Sequence, residues 1–177
     1  MRRTEVVESS PLTQYEGIYS EFGFDVGRTK SGELIHAVPC FMAYNDGISD
    51  EMCNVMFINE EGDVSYAAKD YTRQSVAVIG AFKSDEYAYL VDNWIDGVRV
   101  HISTGNRCVL VCHSSYNMEM VAYALRNYKL RVACTRHAFD LLAVADDRNL
   151  DVVIPNDDNQ FKSGIRKRIY KASELLD

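Results

Sequence analysis

From residue 75 onward, short and densely apolar segments alternate with segments of helical spacing, and this alternation constrains the fold more than any other feature. Residues 108–112 are apolar throughout, whereas apolar side chains in residues 118–125 recur at the spacing of one helix face. Strands with no solvent-exposed face are typical of parallel sheets that helices cover on both sides. The sequence therefore predicts an α/β domain with a short, mostly parallel sheet and flanking helices.

The other segments extend this pattern in both directions. Further strands are predicted at residues 76–80, 87–91, 130–134 and 150–154, and further helices at residues 96–104, 138–147 and 165–176. Upstream, the sequence predicts a helix at residues 13–24 and a β-hairpin around the polar turn at residues 59–63. We interpret the chain as an N-terminal α+β segment (residues 1–74) followed by an α/β domain (residues 75–177) that ends in a basic helix.

Composition and charge exclude several classes of protein. With 47% hydrophobic residues the chain has the balance of a protein that folds on its own core. Its formal charge of −7 argues against a protein that coats nucleic acid by bulk charge. No segment approaches the roughly 18 apolar residues of a membrane span, and no apolar signal core follows the charged start. We therefore expect a cytoplasmic protein without a membrane partner.

The five cysteines are odd in number and irregular in spacing, which is not typical of a disulfide framework. A zinc cluster would draw on cysteines and histidines that lack CxxC spacing and lie within or beside apolar runs. Those residues are Cys108, Cys112, His113, Cys134 and His137. The prediction is that the cysteines are small buried apolar side chains.

Functional groups of parallel α/β sheets lie beyond the carboxyl ends of the strands. In this sequence, the carboxylates at such positions are Asp92, after residues 87–91, and Asp157 and Asp158, after residues 150–154. They are the candidate metal ligands, and Asp92 is also the candidate catalytic residue. The alternatives are a solvated or helix-capping role for Asp92 and a simple polar turn at residues 156–159.

The same region resembles the TOPRIM domain of plasmid- and phage-type DNA primases. The match lies in the apolar strand that ends at Asp92, in a following helix and its end at residues 100–105, in a second apolar strand at residues 108–111, and in the turn and helix at residues 117–126. The matching residues outside that strand are His101, Thr104, Gly105, Asn117, Ala124, Leu125 and Arg126. The hairpin at residues 57–63 also resembles the one preceding the domain in those primases, so the likeness covers residues 35–155. It implies a TOPRIM-like, Rossmann-like fold.

What this resemblance implies for catalysis is a degraded site. In the family, a glutamate after the first strand acts as general acid or base, and an Asp-x-Asp after the third strand holds magnesium. Here Asp92 takes the glutamate position. The Asp-x-Asp falls either on residues 157–159, where one ligand becomes an amide, or on residues 135–137, where both carboxylates are gone. Spacing favours the second register. We therefore expect no cofactor, with Mg²⁺ only if the site is active.

Basic residues cluster in two places, each beside a tyrosine. The first group comprises Arg126, Lys129, Arg131 and Arg136, with Tyr128 among them, and the second comprises Lys162, Arg166, Lys167, Arg168 and Lys171, near Tyr170. On the predicted terminal helix, Arg166 and Tyr170 would share a face. Basic residues with interleaved aromatic rings are typical of single-stranded nucleic acid binding. The alternative is an ordinary solvated surface.

The preferred function is a non-catalytic, TOPRIM-like protein that binds single-stranded or melted DNA. The resemblance implies a role in phage or plasmid replication or transcription, with a polymerase or helicase as the protein partner. One alternative is a magnesium-dependent primase or nuclease module that uses Asp92 with Asp157 or Asp158. A second alternative is a protein-interaction module, such as an inhibitor of a host factor, that acts through its acidic surface.

Overall fold

The computed structural model describes residues 4–5, 25–28, 31–32, 34–59, 61–69, 72–157 and 160–177. The strands are β1 (Thr4–Glu5), β2 (Asp25–Arg28), β3 (Leu34–Tyr44), β4 (Gly47–Asn59), β5 (Val64–Tyr66), β6 (Ser75–Ile79), β7 (Ala88–Val91), β8 (Val109–Val111), β9 (Leu130–Ala133), β10 (Asp151–Val153), β11 (Pro155–Asp157), β12 (Gln160–Ile165) and β13 (Tyr170–Lys171). The helices are α1 (Trp94–Ser103), α2 (Ser115–Ala124), α3 (Phe139–Asp147) and α4 (Ala172–Leu176). The helix predicted at residues 13–24 and the candidate ligand Asp158 lie outside the described residues.

Four parallel strands form the centre of the sheet, in the order β8-β7-β9-β10. An antiparallel strand flanks them on each side, β6 beside β8 and β13 beside β10. Every residue of β7 and β8 is buried, as expected for strands that are covered on both faces. The predicted mostly parallel sheet is therefore confirmed.

Each face of this sheet has its own core. Helices α2, α3 and α4 cover one face, where Met118, Leu142 and Leu175 pack in one apolar cluster. Helix α1 and the β11–β12 hairpin cover the other face, where Trp94 and Phe161 belong to a second cluster. Among the described residues, no helix combines the length and the apolar character needed to cross a membrane.

The strands before residue 75 continue the same sheet. The long strand β3 pairs with β2 and β4, and it joins β6 through Phe41↔Val76 and Met42↔Ser75. Pro39 lies between the end of the β2 pairing and the start of the β6 pairing, where its missing N–H breaks no ladder on that side. The predicted hairpin is present as β4 and β5. The division into two units at residue 74 stays a prediction.

The predicted basic helix at residues 165–176 is wrong for most of its length. Ile165 ends β12, and Tyr170 pairs with Val152 of the sheet. Only Ala172–Leu176 is helical, and this segment contains no basic residue. Arg166 and Tyr170 therefore do not share a helix face.

Candidate functional site

The carboxyl end of β7 carries the candidate catalytic residue, Asp92, whose side chain is half-buried. Its neighbour Asn93 caps α1 by accepting a hydrogen bond from the Asp96 N–H at 3.0 Å. The Asn93 amide donates to Asp92 Oδ1 and to Asp96 Oδ2, both at 2.9 Å. The helix-capping role therefore belongs to Asn93, and Asp92 is held by that amide.

Burial raises the pKa of the Asp92 carboxyl above its ordinary value. The hydrogen bond from Asn93 acts in the opposite direction, and the negative charges of Asp96 and Asp140 add to the increase. Asp157, which lies exposed in β11, is not among these charges. Because burial disfavours the ionised carboxylate, Asp92 lowers the stability of the folded protein, which is common for residues of functional sites.

Replacing Asp92 by asparagine is accordingly expected to increase the free energy of unfolding at pH 7. The folded-state pKa is raised, so the destabilisation grows as pH rises through that pKa, and a neutral side chain removes it. Urea unfolding of the two proteins at pH 7 measures the difference. The control is Asp146→Asn, which removes an exposed carboxylate near the C-terminal end of α3. A lower urea midpoint for Asp92→Asn than for the parent protein would contradict the argument.

The strand pairing resolves which segment faces Asp92. Strand β9 lies directly beside β7, with Leu90 opposite Val132, whereas β10 lies one strand further away. The segment that follows β9 is Thr135, Arg136 and His137, so the segment of the favoured register is the one that lies beside Asp92. Neither carboxylate of an Asp-x-Asp is present there.

The residues at this edge do not fit a magnesium ion. Mg²⁺ needs carboxylate oxygens in near-octahedral geometry, and the segment beside Asp92 offers a cation at Arg136. Within the described part of the chain, no group of three His, Cys, Asp or Glu side chains is arranged to hold a metal. No metal-dependent step is derived from this site.

His113 follows β8 at the same edge, with a left-handed backbone (φ +75°). Its Nε2 lies 3.9 Å from Cys40 Sγ, and its ring packs edge-on against Tyr66 at 5.1 Å between centroids. Burial lowers the pKa of His113 to about 4 and raises the pKa of the Cys40 thiol to about 12. The pair is therefore neutral at pH 7, and the thiol is not an activated nucleophile.

Three of the other four cysteines are buried as predicted, whereas Cys53 is only half-buried. Cys108, Cys112 and Cys134 are buried in one of the two cores, and all five cysteines are free thiols. Burial raises the pKa of each of these three thiols. The interpretation as small apolar side chains is confirmed for Cys40, Cys108, Cys112 and Cys134.

Asn117 joins three elements at this edge. Its amide donates to the Ser75 and Cys112 carbonyls, both at 2.8 Å, and its Oδ1 accepts from the Gln74 N–H. The side chain thereby ties the first turn of α2 to the start of β6 and the end of β8. The resemblance included Asn117, and the structure assigns it this positioning role.

The matched residues of α1 are also structural. His101 Nδ1 donates to the Arg107 carbonyl at 2.7 Å, and a Cβ on Gly80 would lie 2.9 Å from the His101 ring. Gly105 has φ +69° and ends α1, since the Asn106 N–H returns to the His101 carbonyl at 2.9 Å. The residues that carry the likeness therefore shape the fold.

The opposite, amino edge of the parallel strands collects most of the first basic group. The Arg131 guanidinium lies 3.7 Å from the centroid of the Tyr87 ring, and Lys129 Nζ lies 5.9 Å from it. The Arg126 guanidinium lies 4.5 Å from the Tyr123 ring centroid. Arg131 and Lys129 thus share the Tyr87 ring, whereas Arg126 lies over Tyr123 at the end of α2. Arg136, by contrast, is exposed at the carboxyl edge.

The second basic group is not assembled into one site. Lys162 and Lys167 are exposed. Arg166 Nε donates to the Pro155 carbonyl at 3.2 Å. Arg168 pairs with Glu174 and lies 4.4 Å from the Tyr170 ring centroid.

Sequence reasoning missed the tyrosines Tyr87, Tyr89 and Tyr123. Tyr87 and Tyr89 alternate along the segment leading to Asp92, which puts both on one face of the strand. Tyr123 precedes Arg126 by three residues, which is the spacing of neighbours on a helix surface. Both spacings can be read from the sequence. That Arg131 is the partner of Tyr87 and Tyr89 follows only from the pairing of β7 with β9.

A comparison with known protein families gives no match, and neither does a comparison with curated proteins. Solved structures do match. One is a structure of bacteriophage T7 lagging-strand DNA polymerase interacting with primase domains bound to an RNA/DNA hybrid and dTTP (TM-score 0.56, 8% identity, 89% of this chain and 80% of that one). Another is the primase fragment of the bacteriophage T7 primase-helicase protein (TM-score 0.53, 8% identity, 89% of this chain and 65% of that one).

The fold is therefore that of a mixed α/β protein with a mostly parallel central sheet and flanking helices, similar in fold to phage primase domains. At 8% identity this likeness concerns the fold, and it covers most of the chain. A shared fold does not define a function, which depends on the residues at the two edges of the sheet.

Proposed function

We propose that the protein is a TOPRIM-like, non-catalytic module of phage DNA replication that binds single-stranded or melted DNA. The observation that carries the proposal is the set of three cations at the amino edge, which lie over tyrosine rings on a chain of net charge −7. Acidic partners are abundant in this chain, yet these cations have aromatic partners. Cations beside aromatic rings serve single strands by neutralising phosphates and stacking on bases.

The carboxyl edge supports the non-catalytic part of the proposal. Asp92 faces Thr135, Arg136 and His137, and these residues cannot supply the paired carboxylates of a magnesium site. An arginine at this place would instead attract a phosphate group. The module is thus proposed to hold DNA without cutting or extending it.

A polymerase is the proposed protein partner. This part of the proposal is supported by the first of the two similar structures, which contains primase domains interacting with a DNA polymerase. Both similar structures are named as phage replication proteins, so the proposal is confined to replication.

The test is fluorescence anisotropy of a labelled single-stranded oligonucleotide, titrated with protein in EDTA and in Mg²⁺ at two salt concentrations. Salt-sensitive binding of equal strength in both buffers is expected, because phosphate contacts by Lys and Arg release counterions without needing a metal. Asp92→Asn is expected to bind as the parent protein does. Absence of binding in both buffers would refute the proposal.

A magnesium-dependent enzyme is the alternative that an activity assay must separate from this proposal, since the residues beside Asp92 do not supply the paired carboxylates of a metal site. Its signature would be metal-dependent nucleotide incorporation or strand cleavage that Asp92→Asn abolishes. The same oligonucleotide, incubated with Mg²⁺ and nucleotides and resolved on a gel, distinguishes the two candidates.

A further inference from the structure

A cleft of about 570 Å³ opens at the amino edge of the parallel strands, between the end of α1 and β12. Its lining combines cations, carboxylates, hydroxyls and rings: Asp85, Glu86, Tyr87, Tyr89, Thr104, Arg107, Arg131 and Ile165. The cleft lies at the opposite end of β7 from Asp92. It is thus separate from the edge at which parallel α/β sheets usually carry their sites.

Arg131 is the distinctive residue of this cleft. Its guanidinium stacks on Tyr87 at 3.7 Å, and its Nη1 donates to the Tyr89 hydroxyl at 3.2 Å. The other arginine of the cleft, Arg107, forms an ion pair with Glu86 at 2.6 Å. Among the described residues, no carboxylate forms an ion pair with Arg131. Its charge is therefore held in place by neutral groups and remains available to an anion.

Lys129 adds a second cation beside Arg131. It shares the Tyr87 ring, and its Nζ donates to the Asp85 carbonyl at 3.4 Å, which places it at the rim of the cleft. It forms no ion pair with any carboxylate that the structure describes. Both cations thus contact the same tyrosine ring.

The carboxylates of the cleft restrict what this anion can be. Glu86 is neutralised by Arg107, whereas Asp85 is exposed. A bare phosphate ion would gain from Arg131 and be repelled by Asp85. A nucleotide brings a phosphate for the cations. The bases of adenine, guanine and cytosine nucleotides also carry an amino group, which can donate a hydrogen bond to a carboxylate.

We propose that this cleft binds one nucleotide unit, with its phosphate on Arg131 and Lys129, at the edge of the sheet opposite Asp92. The inference rests on the proposed function and names the place where the nucleic acid makes contact. The shared chemistry is a nucleotide phosphate, and it comes either from a DNA strand or from a free nucleotide.

The experiment compares Arg131→Gln, Lys129→Gln and the double variant with the parent protein in the anisotropy titration. The double variant is expected to bind the oligonucleotide about tenfold more weakly, because two charge-assisted phosphate contacts are lost. Its log–log salt slope should be shallower by about 1.4, since each phosphate neutralised on a single strand contributes about 0.7. Lys69→Gln, at an exposed position outside the cleft, removes one charge and is expected to stay within about twofold.

Three further arms secure the result. Thermal unfolding shows whether each variant is folded. If Arg131→Gln is not folded, Arg131→Lys replaces it, because lysine keeps the positive charge and lacks the bidentate guanidinium. Arg136→Gln tests the opposite edge. Deoxycytidine monophosphate is titrated as the free nucleotide, and inorganic phosphate at the same concentration should bind more weakly.

Equal affinity and equal salt slope in the double variant, or a larger loss in Arg136→Gln than in Arg131→Gln, would overturn the inference while leaving DNA binding intact. If the parent protein binds no oligonucleotide, the proposed function fails and the nucleotide titration decides for the cleft. Binding that depends on Arg131 then supports the inference, and no binding overturns it.

Discussion

Asn117→Ala is expected to lower the free energy of unfolding by about 3 kcal/mol, because it leaves the Ser75 carbonyl and the Gln74 N–H without a partner and removes one of the two hydrogen bonds to the Cys112 carbonyl. The amide of Asn117 satisfies the Ser75 and Cys112 carbonyls and the Gln74 N–H, and the side chain is buried. Each orphaned group at a buried position costs more than a surface hydrogen bond is worth. Urea unfolding followed by circular dichroism at pH 7 measures the loss.

The matched control is Asn127→Ala, an exposed asparagine of the loop before β9, which is expected to change stability by less than about 0.5 kcal/mol. Asn117→Asp is a sharper variant. It keeps the acceptor for Gln74 but turns a carboxylate towards two carbonyl oxygens, so it should be at least as destabilising as alanine. A loss below about 1 kcal/mol for Asn117→Ala would show that Asn117 is not what ties these elements together.

Acidification from pH 6.5 to pH 5 is expected to destabilise the protein steeply, through His36 and His113. Burial lowers the pKa of each to about 4 in the folded protein, whereas the ordinary value is 6.5. Because the folded pKa is lowered, the neutral rings contribute their full stability above pH 6.5 and lose it as the pH falls towards 4. Each ring accounts for roughly 3 kcal/mol when the titration is complete.

Urea unfolding at pH 7.5, 6.0 and 5.0 measures this loss, since few ordinary carboxyl groups titrate in that range. His113→Gln should remove about half of the pH dependence. His137→Gln, at an exposed position, is the control and should leave the dependence unchanged. A pH dependence that is the same in His113→Gln and in the parent protein would contradict the assignment.

The central strands were predictable because their residues are apolar on both faces of the strand. Residues 108–112 and 87–91 became β8 and β7, and the intervening helical spacing became α1. The C-terminal segment was not predictable in this way. Its apolar residues have a helix-like spacing, but the Arg166 N–H donates to the Ile154 carbonyl and Tyr170 pairs with Val152 of β10, so the helix begins only at Ala172. Tertiary packing there outweighs the local pattern.

The candidate site was predictable only in part, for a reason of strand order. The charges of Lys129 and Arg131 are visible in the sequence, but Tyr89 becomes the neighbour of Arg131 only because β7 pairs with β9. The same pairing places residues 135–137, and not Asp157, beside Asp92. Sequence spacing favoured residues 135–137, and the adjacency of β7 and β9 is what places them beside Asp92.

The brevity of β13 has a consequence for self-association. The strand that ends the sheet on this side contains only Tyr170 and Lys171, and the chain then turns into α4. Lys171 is held by Asp151 at 2.6 Å, which leaves a charged pair on the border. A long, flat and apolar border would be a template for a strand from another chain. The short strand β13 and the Lys171–Asp151 ion pair therefore protect this edge of the sheet from pairing with a strand of another chain.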